Sequence, residues 1–189
     1  MAVNPTDADL HARLVALLRE RSVQRGSFTL ASGRSSSYYI DARITTMSAA
    51  GLLLVGELGL RAIRRARWEV ELVGGLTIGA DPVAYAIARA SHEAPPVLDA
   101  FAVRKEAKGH GAGRRIEGCF RSGARVVVVE DVITSGQSAL TAVGAVREAG
   151  GSVRGVLAVV DRDEGGRAAI ERAGLPVLSL VGVRDLGLA

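Results

Sequence analysis

The chain contains two lysines, Lys105 and Lys108, and both lie in the segment RKEAKGHG, residues 104–111. Of the 24 Lys and Arg residues, the other 22 are arginines, so the clustering of both lysines in one glycine-rich segment is a strong signal. Arg104 and His110 add further donors. An ammonium group is a compact charge on a flexible stem and can lose its proton when desolvated, which a guanidinium does not. Our hypothesis is that a functional site needs this ammonium here, and the alternative is an ordinary solvated loop.

A second segment, VVVVEDVITSGQSAL, spans residues 126–140 and has the pattern of an anion site. Four valines predict a buried strand that ends in Glu130 and Asp131. The small residues Thr134–Gly136 then precede a predicted helix. Since the first N–H groups of a helix lack internal partners and the helix dipole attracts negative charge, this turn is predicted to bind a phosphate group.

Two common phosphate motifs are excluded for this turn. The chain has neither G-x-x-x-x-G-K-[ST] nor G-x-G-x-x-G. Glu130 and Asp131 precede the phosphate turn, and carboxylates repel phosphate oxygens but accept hydrogen bonds from hydroxyls. A ribose diol beside a 5′-phosphate explains this order of residues. The simpler alternative is that the two acids only end a strand.

The elements that must position these segments alternate along the chain. Leucines at helical spacing after Thr6 predict a first helix over 7–21, and Ser48 is predicted to cap a long helix that ends near Arg67. Two short strands are predicted at 27–31 and 37–41. Further strands are predicted at 69–73, 97–103, 126–129, 153–160 and 177–183, and helices at 83–93, 138–150 and 168–174. Valine-rich strands separated by helices predict an α/β fold whose parallel sheet is covered on both faces.

Composition narrows the class of protein. A chain of 189 residues with 48% hydrophobic and 23% charged residues is expected to form one globular domain, 1–189. No membrane span or secretory signal is predicted, and the single Cys119 has no partner for a disulfide, so a cytoplasmic location is expected. The net charge is +4, but the arginines are dispersed and aromatics make up 4%, so nucleic acid is not an expected partner.

In combination, four segments make the chain resemble a known family. VVVVEDVITSGQSAL resembles the phosphoribosyl pyrophosphate (PRPP) signature of the type I phosphoribosyltransferases. RKEAKGHG resembles the mobile catalytic loop of the orotate phosphoribosyltransferases, and FTLASGRSSSYYID and VVDRDEGG are similar to two of their other segments. The resemblance implies a mainly parallel twisted sheet flanked by helices, with a small N-terminal hood and a flexible catalytic loop.

The implied reaction transfers ribose 5-phosphate from PRPP to orotate and releases pyrophosphate. By resemblance, the catalytic residues are Lys105, Lys108, His110 and Asp131. The residues implied to bind PRPP are Arg104, Lys105, Lys108, His110, Glu130, Asp131, Val132, Ile133, Thr134, Ser135, Gly136, Gln137 and Ser138. The resemblance also implies a homodimer in which Lys105 reaches the neighbouring active site.

Magnesium is the expected cofactor, because PRPP carries several charges that a hard cation neutralises. The ion is expected to be held mainly through PRPP and water, without a metal site built from protein ligands alone. Direct ligation by Glu130 or Asp131 stays open.

Orotate is a pyrimidine with a carboxylate, so its pocket needs a cation and a stacking surface. Arg162 follows a valine-rich strand and is predicted to form a bidentate pair with a carboxylate or a carbonyl edge. Tyr38 and Tyr39 are candidates for an aromatic wall, although consecutive strand residues face opposite sides. Thr134 is predicted to serve both the phosphate turn and the base.

The sequence departs from the family at two positions. Ala31 stands where many relatives carry a lysine, and the loop VGGLTIGADP, residues 73–82, lacks a lysine that some relatives have. These changes remove two expected cations near the ligands. The glycines of the loop can still present backbone N–H groups to pyrophosphate, and a generic strand-to-helix turn is an equally good interpretation of the sequence.

Two alternatives to orotate transfer are considered. A phosphoribosyltransferase for uracil or a purine would share the acidic pair and the phosphate turn, but Arg162 and the lysine loop favour orotate. A PRPP-sensing regulator would need a nucleic-acid-binding module, and the first 25 residues provide one helix. From the length of the chain, an additional decarboxylase domain is not expected.

Overall fold

The structure is a computed structural model that describes residues 5–29, 35–106 and 115–188. The helices are α1 Asp7–Arg21, α2 Ala42–Thr46, α3 Ala49–Arg65, α4 Ala80–Glu93, α5 Gln137–Glu148 and α6 Gly166–Arg172. The strands are β1 Val23–Thr29, β2 Ser35–Ile40, β3 Leu72–Leu76, β4 Asp99–Val103, β5 Ile116–Gly118, β6 Arg125–Ile133, β7 Ser152–Asp161 and β8 Val177–Gly182. Within these residues, no helix is both long and apolar enough to cross a membrane.

The main sheet has six strands in the order β5-β4-β3-β6-β7-β8, and all neighbours are parallel except β4 and β5. Successive valines of β6 point to opposite faces, as strand geometry requires. Val127 and Val129 join one apolar cluster with residues of α3 and α4. Val126 and Val128 join the other, which includes residues of α5. The predicted α/β fold with a parallel sheet buried on both faces is therefore confirmed.

Local signals at the helix starts are also confirmed. The Thr6 hydroxyl accepts a hydrogen bond from the Asp9 N–H at 3.2 Å, and the Asp9 carboxylate accepts one from the Thr6 N–H at 3.0 Å. This reciprocal pair satisfies two donors that the first turn of α1 would otherwise leave free. Ser48 caps α3 in a similar way, accepting from the Gly51 N–H at 3.1 Å.

The strands β1 and β2 form a separate antiparallel hairpin sheet at the N-terminal side, as expected for a small hood. Its register shifts between Arg25 and Phe28. The Arg25 guanidinium donates to the carbonyl of Gly187 at 3.2 Å, and Arg19 of α1 donates to the carbonyl of Asp185. The last residues of the chain therefore hold the hairpin and α1 in place.

Several sequence-based boundaries differ from the structure, and two short elements were not predicted. Residues 130–133 were expected in a loop, but β6 continues to Ile133 because Val132 and Ile133 pair with Val160 and Asp161 of β7. The strand predicted at 69–73 begins at Leu72. The elements α2 and β5 were not predicted, since five and three residues are too short to show a period.

Candidate active site

A cleft of about 500 Å³ opens where the carboxyl ends of β3, β4, β6 and β7 meet the end of β2. Its size is that of a small-molecule site. In a parallel α/β sheet this is the edge where ligands bind. The lining residues are Tyr39, Ile40, Asp41, Arg43, Leu76, Thr77, Ile78, Gly79, Lys105, Glu130, Asp131, Val132, Thr134, Ser138 and Arg162.

The predicted phosphate turn adjoins this cleft. Residues Thr134–Gly136 connect β6 to α5, and a small cavity of about 70 Å³ is lined by residues 132–138 and Glu130. Gly136 is the residue before α5 and has φ 80°, a left-handed conformation that side chains disfavour. A Cβ at this position would also lie 2.8 Å from the carbonyl oxygen of Gly166. Glycine therefore lets the backbone N–H groups of the first turn of α5 face the cavity.

The two acids of β6 have different environments. Glu130 is 6% exposed and its Oε2 has no hydrogen-bond partner within the described residues. Burial, followed by the charge of the neighbouring Asp131, raises the pKa of Glu130 to about 9. Asp131 is half-buried, and its Oδ1 accepts a hydrogen bond from the Val132 N–H at 2.9 Å. Burial therefore favours the protonated form of Glu130.

The loop after β3 lies against Asp131. A Cβ on Gly79 would be 2.5 Å from Asp131 Oδ1, so only glycine allows this approach with the carboxylate in place. A Cβ on Gly75 would be 2.1 Å from the carbonyl oxygen of Val129, which shows how closely β3 and β6 pack. The Thr77–Ile78 peptide bond is cis. This loop, which has no lysine, contributes its residues 77–79 to the cleft.

Arg162 follows β7 and is 5% exposed. Its N–H donates to the carbonyl of Ile133 at 3.1 Å, and its guanidinium carbon lies 4.8 Å from the ring centroid of Tyr38. Its Nη2 is 2.7 Å from Glu164 Oε1, while its buried Nε has no partner in the described parts of the chain. Arg162 therefore lines the cleft as a buried cation with a donor to spare.

The two tyrosines of β2 point to different neighbours. Tyr38 packs against the guanidinium of Arg162 and against the apolar core. Tyr39 is 37% exposed, lines the cleft, and lies 5.9 Å from the ring of Phe28. Because side chains alternate along the strand, Tyr38 contacts Arg162 while Tyr39 faces the cleft.

Lys105 is an exposed residue that lines the same cleft as Asp131 and Thr134. Arg104 instead forms an ion pair with Glu117 at 3.0 Å, beside the β4–β5 pair. Lys108 and His110 lie outside the described residues, as does Ala31. Their predicted roles stay predictions.

Sequence reasoning missed Asp41 and Arg43, which border the cleft between β2 and α2. Arg43 Nε and Nη2 donate to the two oxygens of Asp41 at 2.8 and 2.9 Å. The pairing holds the pKa of Asp41 below its usual value. The D-x-R spacing after a strand was the available signal. Arg43 provides a cation in a cleft where two expected lysines are missing.

The carboxylates present fit a cation only in part. Among the described residues, no group of three or more His, Cys, Asp or Glu side chains is arranged to hold a metal ion. Glu130 and Asp131 are the acids that line the cleft next to the phosphate turn. A divalent ion there would need most of its ligands from a bound substrate and water.

Comparisons with known proteins agree with this geometry. No family model matches the chain. The orotate phosphoribosyltransferase of Corynebacterium glutamicum is 49% identical over 188 residues, covering 100% of both chains. The crystal structure of Mycobacterium tuberculosis orotate phosphoribosyltransferase with Fe(III) dicitrate superposes with a TM-score of 0.84 at 49% identity, covering 95% of this chain and 99% of that one. The same enzyme in complex with PRPP has a TM-score of 0.77 at 42% identity, covering 94% and 92%.

Proposed function

The chain belongs to the orotate phosphoribosyltransferases, and we propose that the cleft at the carboxyl ends of β3, β4, β6 and β7 is its active site. The enzyme transfers ribose 5-phosphate from PRPP to orotate, giving orotidine 5′-monophosphate and pyrophosphate in UMP synthesis. The observation that supports this location most directly is the alignment of the phosphate turn, the acids of β6 and buried Arg162 along one cleft. Each matches one part of the two substrates.

The 5′-phosphate of PRPP fits the turn Thr134–Ser138. The left-handed Gly136 frees the N–H groups of the first turn of α5, and the helix dipole adds to their attraction for an anion. The ribose hydroxyls then lie toward the acids of β6, where Asp131 accepts hydrogen bonds. The protonated Glu130 has a free Oε2 and takes part in the same network.

Pyrophosphate departs on the other side of the ribose, between the loop 77–79 and Lys105. Negative charge grows on the leaving group in the transition state, so cations that approach it there accelerate the reaction. Lys105 lines this part of the cleft. We assign Arg104, Lys108 and His110 to the same role on the catalytic loop. A magnesium ion, held mainly by PRPP oxygens and water, would neutralise part of the diphosphate charge.

Orotate is assigned to the space between Arg162, Thr134 and Tyr39. The buried Nε of Arg162 lacks an acceptor among the described residues, and a carboxylate supplies one. Replacing Arg162 with alanine is expected to raise the KM for orotate far more than the KM for PRPP. Equal increases in the two constants would remove this assignment.

A homodimer is supported by an apolar surface next to the cleft. Ile44, Met47, Leu53, Ile78 and Tyr85 are all exposed, and they lie on α2, α3, α4 and the loop before α4. Leu53 and Tyr85 also line an apolar groove of about 460 Å³. Exposed apolar patches of this kind mark association sites. Since Ile78 borders the cleft as well, a second copy seated here would lie within reach of the active site.

Two broader assignments complete the proposal. Both apolar clusters pack on the faces of the single six-stranded sheet, which supports one catalytic domain over residues 1–189. The substrates are small polar molecules of the pyrimidine pathway, which favours a cytoplasmic location and partners limited to substrates and a second copy of the chain.

The choice of base is tested by mixing the protein with magnesium, PRPP and either orotate, uracil or hypoxanthine, and following pyrophosphate release. Orotate is expected to give rapid release, and Asp131→Asn is expected to slow it strongly. Faster release with uracil or hypoxanthine would reassign the base. Release that is unchanged in Asp131→Asn would move the site away from β6.

The shared active site is tested by subunit mixing. Lys105→Ala and Asp131→Asn are each expected to be nearly inactive. If Lys105 acts across the dimer, random exchange creates hybrid dimers with one intact site, and about a quarter of wild-type activity returns. If activity does not return although exchange is demonstrated, Lys105 serves its own subunit.

A further inference from the structure

Arg162 carries a positive charge in the protein interior, where the loss of hydration destabilises a charged group. Its side chain is 4% exposed. A guanidinium does not give up its proton in a protein, so this group cannot escape the cost of burial by becoming neutral. A buried charge of this kind needs both a counter-charge and hydrogen-bond acceptors. The identity of the counter-charge therefore controls how Arg162 is held.

Glu164 is that counter-charge. Its Oε1 lies 2.7 Å from Nη2 of Arg162, and its side chain is 16% exposed. Ion pairs between exposed side chains contribute little because solvent screens them, but both members of this pair are shielded. The same Nη2 lies 3.5 Å from the Ser36 hydroxyl, and Tyr38 covers a face of the guanidinium. The Arg162 guanidinium is thus held at its Nη2 and at the face that contacts Tyr38.

The donors that remain define what Arg162 can bind. A guanidinium has five N–H donors. The Nη2 of Arg162 makes the contacts to Glu164 and Ser36. The Nε of Arg162 is buried and has no acceptor among the described residues. The position of Glu164 therefore decides which edge of the guanidinium is left for a ligand.

Hydrogen bonds from neighbouring residues fix the turn that contains Glu164. Asp161 accepts hydrogen bonds from the Asp163 N–H at 3.0 Å and from Arg167 Nε at 2.8 Å. Arg167 in turn donates to the carbonyl of Val177 at 2.7 Å, which ties the turn to β8. Gly165, directly after Glu164, has φ 90°. These contacts fix the backbone at Glu164, so its carboxylate has a defined position next to Arg162.

We propose that Glu164 is a positioning residue for orotate: it orients the Arg162 guanidinium so that its free donors meet the carboxylate of the base. This inference rests on the proposed role of Arg162. Glu164 does not touch the reacting atoms. For orotate binding its length matters more than its charge, because the carboxylate of bound orotate itself supplies a counter-charge to the guanidinium.

Two conservative substitutions separate length from charge. Glu164→Gln keeps the length and an oxygen acceptor but loses the charge. Glu164→Asp keeps the charge but withdraws the carboxylate by one methylene. We expect Glu164→Asp to raise the KM for orotate roughly tenfold, the equivalent of one lost hydrogen bond, with the KM for PRPP within about twofold of wild type. Glu164→Gln is expected to keep the orotate KM within about threefold.

The matched controls are on the neighbouring helix. Glu171 pairs with Arg167 at 3.9 Å on the surface of α6, so Glu171→Gln and Glu171→Asp make the same chemical changes away from Arg162. Both are expected to leave the two KM values unchanged. Circular dichroism of every variant checks that the fold is retained.

The outcomes distinguish this inference from the function on which it rests. If Glu164→Gln raises the KM for orotate more than Glu164→Asp does, the proposed positioning role is wrong. Glu164 would then act by neutralising the charge of Arg162. Unchanged orotate KM in both, or equal rises for orotate and PRPP, would also overturn it. If Glu164 acts through Arg162, Glu164→Asp adds little to Arg162→Ala in the double variant. If Arg162→Ala itself leaves the orotate KM unchanged, the proposed role of Arg162 fails first.

Discussion

The two ends of the main sheet treat their polar groups differently. At the amino end, Glu71 accepts hydrogen bonds from the Arg125 N–H at 3.1 Å and Nε at 3.4 Å, and it also pairs with Arg121. At the carboxyl end, buried polar atoms remain without partners. Within the described residues these are Asp81 Oδ1, Glu130 Oε2 and Arg162 Nε, and a fourth such atom, Thr46 Oγ1, lies on α2.

This difference separates stability from function. Buried polar atoms without partners destabilise a fold, and native proteins retain few of them. Their concentration at one end of the sheet indicates that substrates complete the hydrogen bonding there. At the amino end, the charge of Glu71 is satisfied within the protein by Arg121 and Arg125. Substitutions at the two ends should therefore affect different measurements.

The largest effect is expected for Gly79→Ala at the carboxyl end. Gly79 has φ −63° and ψ −40°, which alanine adopts without strain. The new Cβ would meet Asp131 Oδ1 at 2.5 Å, so the carboxylate must move. We expect kcat/KM for PRPP to fall roughly 100-fold, as for other misplaced catalytic groups, with the melting temperature nearly unchanged. A full loss of folding, or unchanged kinetics, would contradict the separation of the two ends.

The same positions show what the sequence could and could not predict. The phosphate turn was predictable because its strand, acids, glycine and helix start are consecutive in the chain. The burial of Glu130 was not, because it depends on β6 pairing with β7 as far as Ile133. The three-residue β5 likewise exists through its pairing with β4.

Side-chain partners were the least predictable feature. Arg162 was identified from its place after a valine-rich strand, but its contacts to Tyr38 and Ser36 join residues more than 120 positions apart. Nothing in the local sequence separates the pairing of Arg162 with Glu164 from a pairing with Asp163, which instead faces Arg184 at 3.8 Å. Tertiary packing determines which acidic side chain pairs with each arginine.

A second, smaller effect concerns pH and the unliganded protein. The pKa of Glu130 is about 9 in the folded chain, against a reference value of 4.5. Between these values the folded chain keeps a proton that the unfolded chain has lost, so stability falls as pH rises. The slope from this one group is at most about 1.4 kcal/mol per pH unit. Glu130→Gln removes the titration and should flatten the profile from pH 6 to 9.

Urea unfolding at several pH values without substrates measures this slope. Glu148→Gln on the surface of α5 is the matched control and should follow the wild-type profile. If Glu130→Gln loses stability as steeply as wild type, the carboxyl at 130 is already ionised at neutral pH.

A third prediction addresses the amino end. Glu71→Ala leaves the Arg125 N–H and the Arg121 guanidinium without their acceptor. The melting temperature should fall, while kcat and both KM values stay within about twofold of wild type. Glu69→Ala is the control, because Glu69 is 84% exposed and its contact to Arg125, at 3.4 Å, does not involve the Arg125 N–H. A loss of activity without a loss of stability in Glu71→Ala would show that the two ends are coupled.

The smallest effect, and one of opposite sign, is expected for Gly144→Ala in the middle of α5. A Cβ there would meet no atom within 4 Å. Glycine inside a helix is less favourable than alanine because its unfolded backbone has more freedom, so the variant should be more stable by about 0.5 kcal/mol. Denaturant unfolding measures the gain in the free energy of unfolding, and steady-state kinetics test whether catalysis is unchanged. Since α5 starts at the phosphate turn but Gly144 lies two turns away, the KM for PRPP should not change. A changed KM would mean that the stiffness of α5, and not only its first N–H groups, determines how the phosphate is held.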